Sequence, residues 1–127
     1  MIAQFFLNTP ETELARQIAM NENTWLVPPL WRSEFRSVLR KYLLSDELSV
    51  EHCIDATVAA EAMLSGGEMQ VSSADVMTLV AATGCSAYDA EYVSLAKSFS
   101  IPLVTSDRRL RERFPGVAVS PAEFLAG

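Results

Sequence analysis

The amino-acid sequence predicts an α/β sandwich with a mostly parallel sheet. Short apolar segments alternate with amphipathic ones, turn-forming residues separate them, and hydrophobic residues make up 50% of the chain. Repeated strand, helix, strand units of this kind form parallel sheets through right-handed crossovers. The chain has 127 residues and shows no linker or internal repeat, so we expect one domain spanning residues 1–127.

The first half of the chain predicts two helices around one strand. Thr9, Pro10 and Glu11 provide an N-cap, a proline at the first helical position and an acidic first turn, which indicates a helix over residues 10–21. Residues 24–27 have the sequence Thr-Trp-Leu-Val and stop at Pro28 and Pro29, as a buried strand would. The next helix is indicated by an apolar stripe at helical spacing, which comprises Trp31, Phe35, Val38, Leu39 and Tyr42.

The second half continues the alternation. Ser49 begins a helix that ends at Gly66 and Gly67, and residues 68–72 form a candidate strand. Further helices are predicted from residue 73 to Gly84, from Ser86 to about residue 99, and over residues 108–113. Short strands at residues 101–105 and 117–119 flank the last of these helices.

Charge, cysteine content and hydropathy limit the partners, metal ligands and cellular location that the sequence allows. The net charge is −6, but eight of the ten basic residues lie in two clusters, at residues 32–41 and 108–113, which leaves room for a local positive surface. Two cysteines and one histidine without a C-x-x-C pair argue against a zinc site, so any bound metal should be held by oxygen. The sequence shows neither a membrane span nor a signal peptide, and we expect a cytoplasmic protein.

Three carboxylates are candidate functional residues. Glu34 lies on the apolar stripe of its helix, where a carboxylate needs a partner, although it could also mark the edge of the stripe and reach water. Asp89 lies in a first helical turn, where Ser86-x-x-Asp89 also fits a capping box. Asp107 follows a predicted strand, at the sheet edge where α/β proteins bind ligands, and it also fits a simple N-cap.

Three segments together resemble the PIN domain, particularly the small VapC-like toxins of bacterial toxin-antitoxin pairs. They are WRSEFRSVL at residues 31–39, SAYDAEYVSLA at residues 86–96 and PLVTSDRRL at residues 102–110. The resemblance covers nearly the whole chain from about Ala3 and implies a three-layer sandwich. It also implies that Glu34, Asp89 and Asp107 bind Mg²⁺ or Mn²⁺ in one pocket, with the hydroxyl of Thr105 nearby.

The same resemblance implies an activity and partners. VapC-like proteins cleave single-stranded RNA, form homodimers and are held by an antitoxin whose segment covers the active site. Oxygen ligands suit hard divalent cations, which offset the repulsion between clustered carboxylates and a phosphodiester. Arg108, Arg109 and Arg111 are placed to hold flanking phosphates, or they form an ordinary exposed helix face.

The amino terminus departs from the family pattern. PIN domains begin with a strand that ends in an aspartate, the first metal ligand, whereas residues 1–7 contain no carboxylate and correspond better to the helix that follows. We therefore expect the first strand to be missing from this sequence. The alternative function is a catalytically degenerate PIN-like module that keeps a protein-binding surface, and for the chain as written we expect weak or no ribonuclease activity.

Overall fold

The computed structural model describes residues 25–126, and most of this part is helical. The helix predicted at residues 10–21 and the segment at residues 1–7 lie outside the described residues. The elements are α1 (Trp31–Leu44), α2 (Val50–Leu64), a 3-10 turn (Ser65–Gly67), α3 (Ser73–Thr83), α4 (Ala87–Phe99), β1 (Leu103–Val104), α5 (Arg108–Arg113), β2 (Ala118–Val119) and α6 (Pro121–Ala126).

Parallel pairing confirms the predicted α/β class. Strands β1 and β2 pair in parallel, with Leu103 opposite Ala118 and Val104 opposite Val119, and α5 provides the crossover between them. A second parallel contact is the bridge between Val27 and Glu68. The Val27 N–H donates to the carbonyl of Gly67 at 3.0 Å.

The strands predicted at residues 24–27 and 68–72 are too long. Among the described residues, each is reduced to its one bridging residue, Val27 or Glu68. Pro28 and Pro29 lack the N–H groups that would extend the ladder on one side. On the other side the chain leaves the ladder to form α3, for which Ser72 rather than Ser73 is the N-cap.

Side-chain caps define the starts of α2, α3 and α4, largely as predicted. The hydroxyl of Ser49 accepts a hydrogen bond from the His52 N–H at 3.1 Å, and equivalent caps begin α3 and α4 at Ser72 and Ser86. Gly84 ends α3 in the left-handed region at φ 71°, where glycine is favoured. The six-residue helix α6 was not predicted.

Two groups of buried residues hold these elements together. Trp31, Phe35 and Leu39 of α1 pack with Val27 and with two residues of α2, Ala60 and Leu64. The second group joins α3, α4 and α5 to the β1–β2 pair and comprises Val76, Cys85, Ala90, Val93, Ala96, Leu103, Leu110, Phe114 and Ala118. The first group fixes the helix that carries Glu34, and the second fixes the elements that carry Asp89 and Asp107.

Gly67 lies where two backbone segments approach closely. A Cβ atom placed on this residue would lie 1.7 Å from the carbonyl oxygen of Trp25. Only glycine fits this approach, and the approach allows the bridge between Val27 and Glu68 to form.

Within residues 25–126, no helix combines the length and apolar character needed to cross a membrane.

Candidate active site

Glu34 has the hydrogen-bond partner that its place on the apolar stripe requires. It is half-buried in α1, and its carboxylate accepts a hydrogen bond of 2.5 Å from the hydroxyl of Tyr92 on α4. The contact joins residues that are 58 positions apart in the chain. It therefore links the two helices that carry the predicted ligands Glu34 and Asp89.

Tyr92 is kept in its neutral form by its surroundings. Burial is the largest cause and raises the pKa of the Tyr92 phenol well above its ordinary value; the hydrogen bond to Glu34 and the negative charges of Glu34, Glu91 and Asp89 raise it further. The neutral phenol is a permanent donor to the Glu34 carboxylate. Of these three carboxylates, Glu34 is hydrogen-bonded to the phenol, whereas Glu91 and Asp89 act on it through their charge alone.

The carboxylate of Asp89 does not cap its own helix. The Ser86 hydroxyl accepts a hydrogen bond from the Asp89 N–H at 3.0 Å, which is half of the predicted capping box. Among the described residues, no reciprocal bond joins the Asp89 carboxylate to the Ser86 N–H. The half-buried side chain of Asp89 therefore remains able to bind a ligand.

Asp107 is the N-cap of α5, as the simpler interpretation of its sequence position predicts. One of its carboxylate oxygens, Oδ1, accepts hydrogen bonds from the N–H groups of Arg109 at 2.9 Å and Leu110 at 3.2 Å. Thr105 is completely buried, and its hydroxyl accepts a hydrogen bond of 2.9 Å from the Asp107 N–H. Thr105 thus orients the turn that presents Asp107, while the carboxylate of Asp107 already has a structural role.

The described residues do not contain a complete metal centre. Between residues 25 and 126, no group of three or more Asp, Glu, His or Cys side chains forms a possible metal site. Oxygen donors suit a hard divalent cation, but within residues 25–126 the Tyr92 hydroxyl contacts only one of the predicted ligands, Glu34. The convergence of Glu34, Asp89 and Asp107 remains a prediction.

The three arginines predicted to bind RNA have different surroundings. Arg108 pairs with Glu112 at 3.0 Å on the exposed face of α5. Arg111 donates to the carbonyl of Thr105 at 2.9 Å and so helps to hold the end of β1. The exposed Arg109 side chain forms no hydrogen bond or ion pair with the other described residues, so its guanidinium is the most available of the three for a phosphate.

Sequence reasoning missed two groups of contacts near the site. Tyr92 follows Asp89 by three positions on one helix face, and the need of a buried phenol for a partner could have linked it to Glu34. Arg32, which belongs to the basic cluster at residues 32–41, binds Glu68 at 2.7 Å and also Glu61. Its guanidinium holds the pKa of the Glu68 carboxyl below its ordinary value, chiefly by hydrogen bonding.

With this fold and these residues, the chain belongs to the PIN domain family. The sequence model of the PIN domain matches residues 1–113, and members of this family are generally metal-dependent nucleases. Among solved structures, the chain is similar to the crystal structure of PAE2754 from Pyrobaculum aerophilum. The two share 20% sequence identity with a TM-score of 0.64, and the alignment covers 87% of each chain. This likeness shows the fold alone. No curated protein matches the sequence.

We expect Tyr92→Phe to lower the free energy of unfolding by about 1–2 kcal/mol, because it leaves the half-buried Glu34 carboxylate without its donor. Tyr88→Phe is the matched control, since Tyr88 lies on the same helix with 63% exposure.

The stabilisation from the neutral Tyr92 phenol is fully present below about pH 10, the ordinary pKa of tyrosine, and is lost as the pH rises further. Urea unfolding between pH 7 and pH 11 should therefore show a steeper alkaline loss in the wild type than in Tyr92→Phe; parallel losses would contradict the contact.

Substitutions at Asp89 and Asp107 separate metal binding from capping. Asparagine caps as well as aspartate, so Asp107→Asn should keep its stability, whereas Asp107→Ala should lose about 0.5–2 kcal/mol. If both residues are ligands, Asp89→Asn and Asp107→Asn should each weaken Mn²⁺ binding at least tenfold in calorimetric titrations. Asp75→Asn is the control for Asp89→Asn, because the Asp75 N–H binds its own serine cap, Ser72, in the same way. If Asp107→Asn leaves the Mn²⁺ affinity unchanged, Asp107 has only its capping role.

Proposed function

We propose that this chain is a VapC-like endoribonuclease that cleaves single-stranded RNA with the aid of Mg²⁺ or Mn²⁺. In this proposal it is the toxin of a toxin-antitoxin pair, acts in the cytoplasm as a single-domain homodimer, and is held by an antitoxin. Membership of the PIN domain family supports nuclease chemistry. The observation that carries the proposal is the hydrogen bond from the Tyr92 hydroxyl to the Glu34 carboxylate, which ties α1 to the helix that carries Asp89.

Each site residue has a distinct part in this proposal. Glu34 and Asp89 would provide oxygen ligands for the cation, and Tyr92 fixes the orientation of Glu34 by donating a hydrogen bond to it. Asp107 would add a carboxylate while it caps α5, and Thr105 holds the turn before it. A bound divalent ion would supply charge stabilisation at the scissile phosphate and an activated water.

The RNA chain would lie along the amino-terminal end of α5. Arg109 is exposed there, and Arg108 and Arg111 lie beside it on the same short helix. Contacts of this kind bind the phosphate backbone and carry little sequence information. We therefore assign Arg108, Arg109 and Arg111 to RNA binding rather than to the choice of cleavage site.

A catalytically degenerate PIN-like module is the second candidate. It is favoured by the absence of a three-residue metal centre in residues 25–126 and by the capping role of Asp107. Such a module would keep the fold and a protein-binding surface. It would bind a divalent ion weakly through Glu34 and Asp89.

Cleavage of a fluorescent single-stranded RNA distinguishes the two functions. For the nuclease, we expect slow cleavage by the purified chain that requires Mg²⁺ or Mn²⁺ and is lost in Asp89→Asn but retained in Asp75→Asn. Chelation should abolish it, and double-stranded RNA should resist. Cleavage that is unchanged in Asp89→Asn would come from a contaminant and would favour the degenerate module.

A further inference from the structure

Tyr88 is an exposed aromatic residue in the first turn of α4. It is 63% exposed, although an aromatic ring is among the largest apolar surfaces that a protein can bury. Among the described residues, its hydroxyl forms no hydrogen bond and its ring packs on no other aromatic ring. The packing of residues 25–126 therefore does not account for an aromatic side chain at this position.

The spacing of residues on α4 places Tyr88 beside the candidate active site. Tyr88 precedes Tyr92 by four positions and Asp89 precedes it by three, so both lie one turn before Tyr92 on its side of the helix. Side chains at these spacings are neighbours, with about 5–6 Å between their Cβ atoms. The exposed ring of Tyr88 is thus next to the phenol that donates its hydrogen bond to Glu34.

The other exposed aromatic side chain of the described residues lies far from this site. Phe99 is 45% exposed and is the last residue of α4. It follows Tyr88 by 11 positions, which corresponds to roughly 16 Å along the helix. Phe99 therefore provides an exposed ring on the same helix, at the end opposite to Asp89.

The charges around Tyr88 favour a neutral ligand on its ring. Asp89 and Glu91 are carboxylates of the same helix, and α4 has no basic residue before Lys97. These carboxylates repel a phosphate group unless a cation lies between them. A nucleobase is uncharged near neutral pH and has a flat π-face, so it can stack on a phenol ring beside carboxylates.

We propose that Tyr88 is a stacking platform for one base of a single-stranded RNA, beside the site of cleavage. This inference rests on the proposed function and specifies how the same site selects its substrate. The faces of a base in a duplex are covered by its neighbours, whereas a base of a single strand can turn onto an aromatic side chain. Every base has a π-face, so Tyr88 favours single strands over duplexes without selecting a sequence. The phosphates on either side of the base remain available to the cation and to Arg109.

Substitutions of Tyr88 test this proposal in an RNA-binding assay. Tyr88→Leu removes the aromatic face but keeps an apolar side chain of good helix propensity. We expect it to weaken binding of a fluorescent single-stranded RNA about tenfold in anisotropy titrations with Mg²⁺, which is within the range for the loss of one base stack. Tyr88→Phe keeps the aromatic face and should retain the affinity. Phe99→Leu is the matched control and should bind as the wild type does. Circular dichroism verifies that the variants are folded, and electrophoresis verifies that the RNA stays intact during the titration.

A second RNA separates stacking from phosphate contacts. It has the same length, but its riboses carry no bases. Tyr88→Leu should bind this abasic RNA as tightly as the wild type does, whereas Arg109→Glu should weaken the binding of both RNAs.

The outcomes distinguish this inference from the function on which it rests. If Arg109→Glu weakens binding but Tyr88→Leu does not, or if Tyr88→Leu weakens the binding of both RNAs equally, the stacking role is overturned and the proposed function is kept. A wild type that binds neither RNA at about 100 μM, the weak end of non-specific binding, would overturn both.

Discussion

Replacing Gly67 with alanine is expected to lower the free energy of unfolding by about 3 kcal/mol. The new Cβ would meet the carbonyl oxygen of Trp25 at 1.7 Å, a distance that requires the backbone to move. Overpacking of this kind costs about 1–3 kcal/mol, and the shift also weakens the two backbone hydrogen bonds that hold Val27 beside Gly67 and Met69. In a domain of this size the melting temperature should fall by about 10 °C.

The adjacent glycine provides a matched control. A Cβ on Gly66 would meet no atom within 4 Å, although both residues belong to the same 3-10 turn. Gly66→Ala should therefore leave stability unchanged or raise it slightly, because alanine restricts the unfolded chain. Equal melting temperatures for the two variants, measured by differential scanning calorimetry, would show that the backbone approach at Gly67 does not limit stability.

Local signals predicted the helices well because caps act within one turn. Asp107 at the start of α5 and Gly84 at the end of α3 fix boundaries that need no distant contact. The missed helix α6 has the same kind of signal: the Ser120 hydroxyl accepts from the Glu123 N–H, and the Glu123 carboxylate accepts from the Ser120 N–H. The spacing Ser120-x-x-Glu123 is therefore a capping box, a local signal that is sufficient to predict α6.

Strand lengths and side-chain partners could not be predicted in this way. The bridge between Val27 and Glu68 depends on the close approach at Gly67, which no local pattern reveals. The sequence predicted that Glu34 needs a partner, but Tyr92 lies 58 residues away. Composition and spacing thus indicate which residues need a contact, and the tertiary fold decides which residue provides it.

The largest change in activity should come from the first acidic residue of the family pattern. No Asp or Glu precedes Glu11 in this sequence, so the predicted ligands are Glu34, Asp89 and Asp107. A site that lacks one carboxylate ligand would hold a divalent cation more loosely and would position the attacking water less well. A displacement of about 1 Å in a reacting group can reduce a rate on the order of a hundredfold.

We therefore expect a chain extended at its amino terminus by an apolar strand ending in Asp to cleave single-stranded RNA at least about a hundredfold faster than the chain as written. The matched control carries the same strand ending in Asn, which supplies the strand's backbone hydrogen bonds and packing without the carboxylate. If the carboxylate matters, only the Asp version gains activity and Mn²⁺ affinity. A gain shared by both versions would assign the effect to the sheet instead, because a strand stabilises its neighbours whatever its last residue. Equal and robust cleavage by all three chains would show that Glu34, Asp89 and Asp107 suffice, and that the first acid is dispensable in this protein.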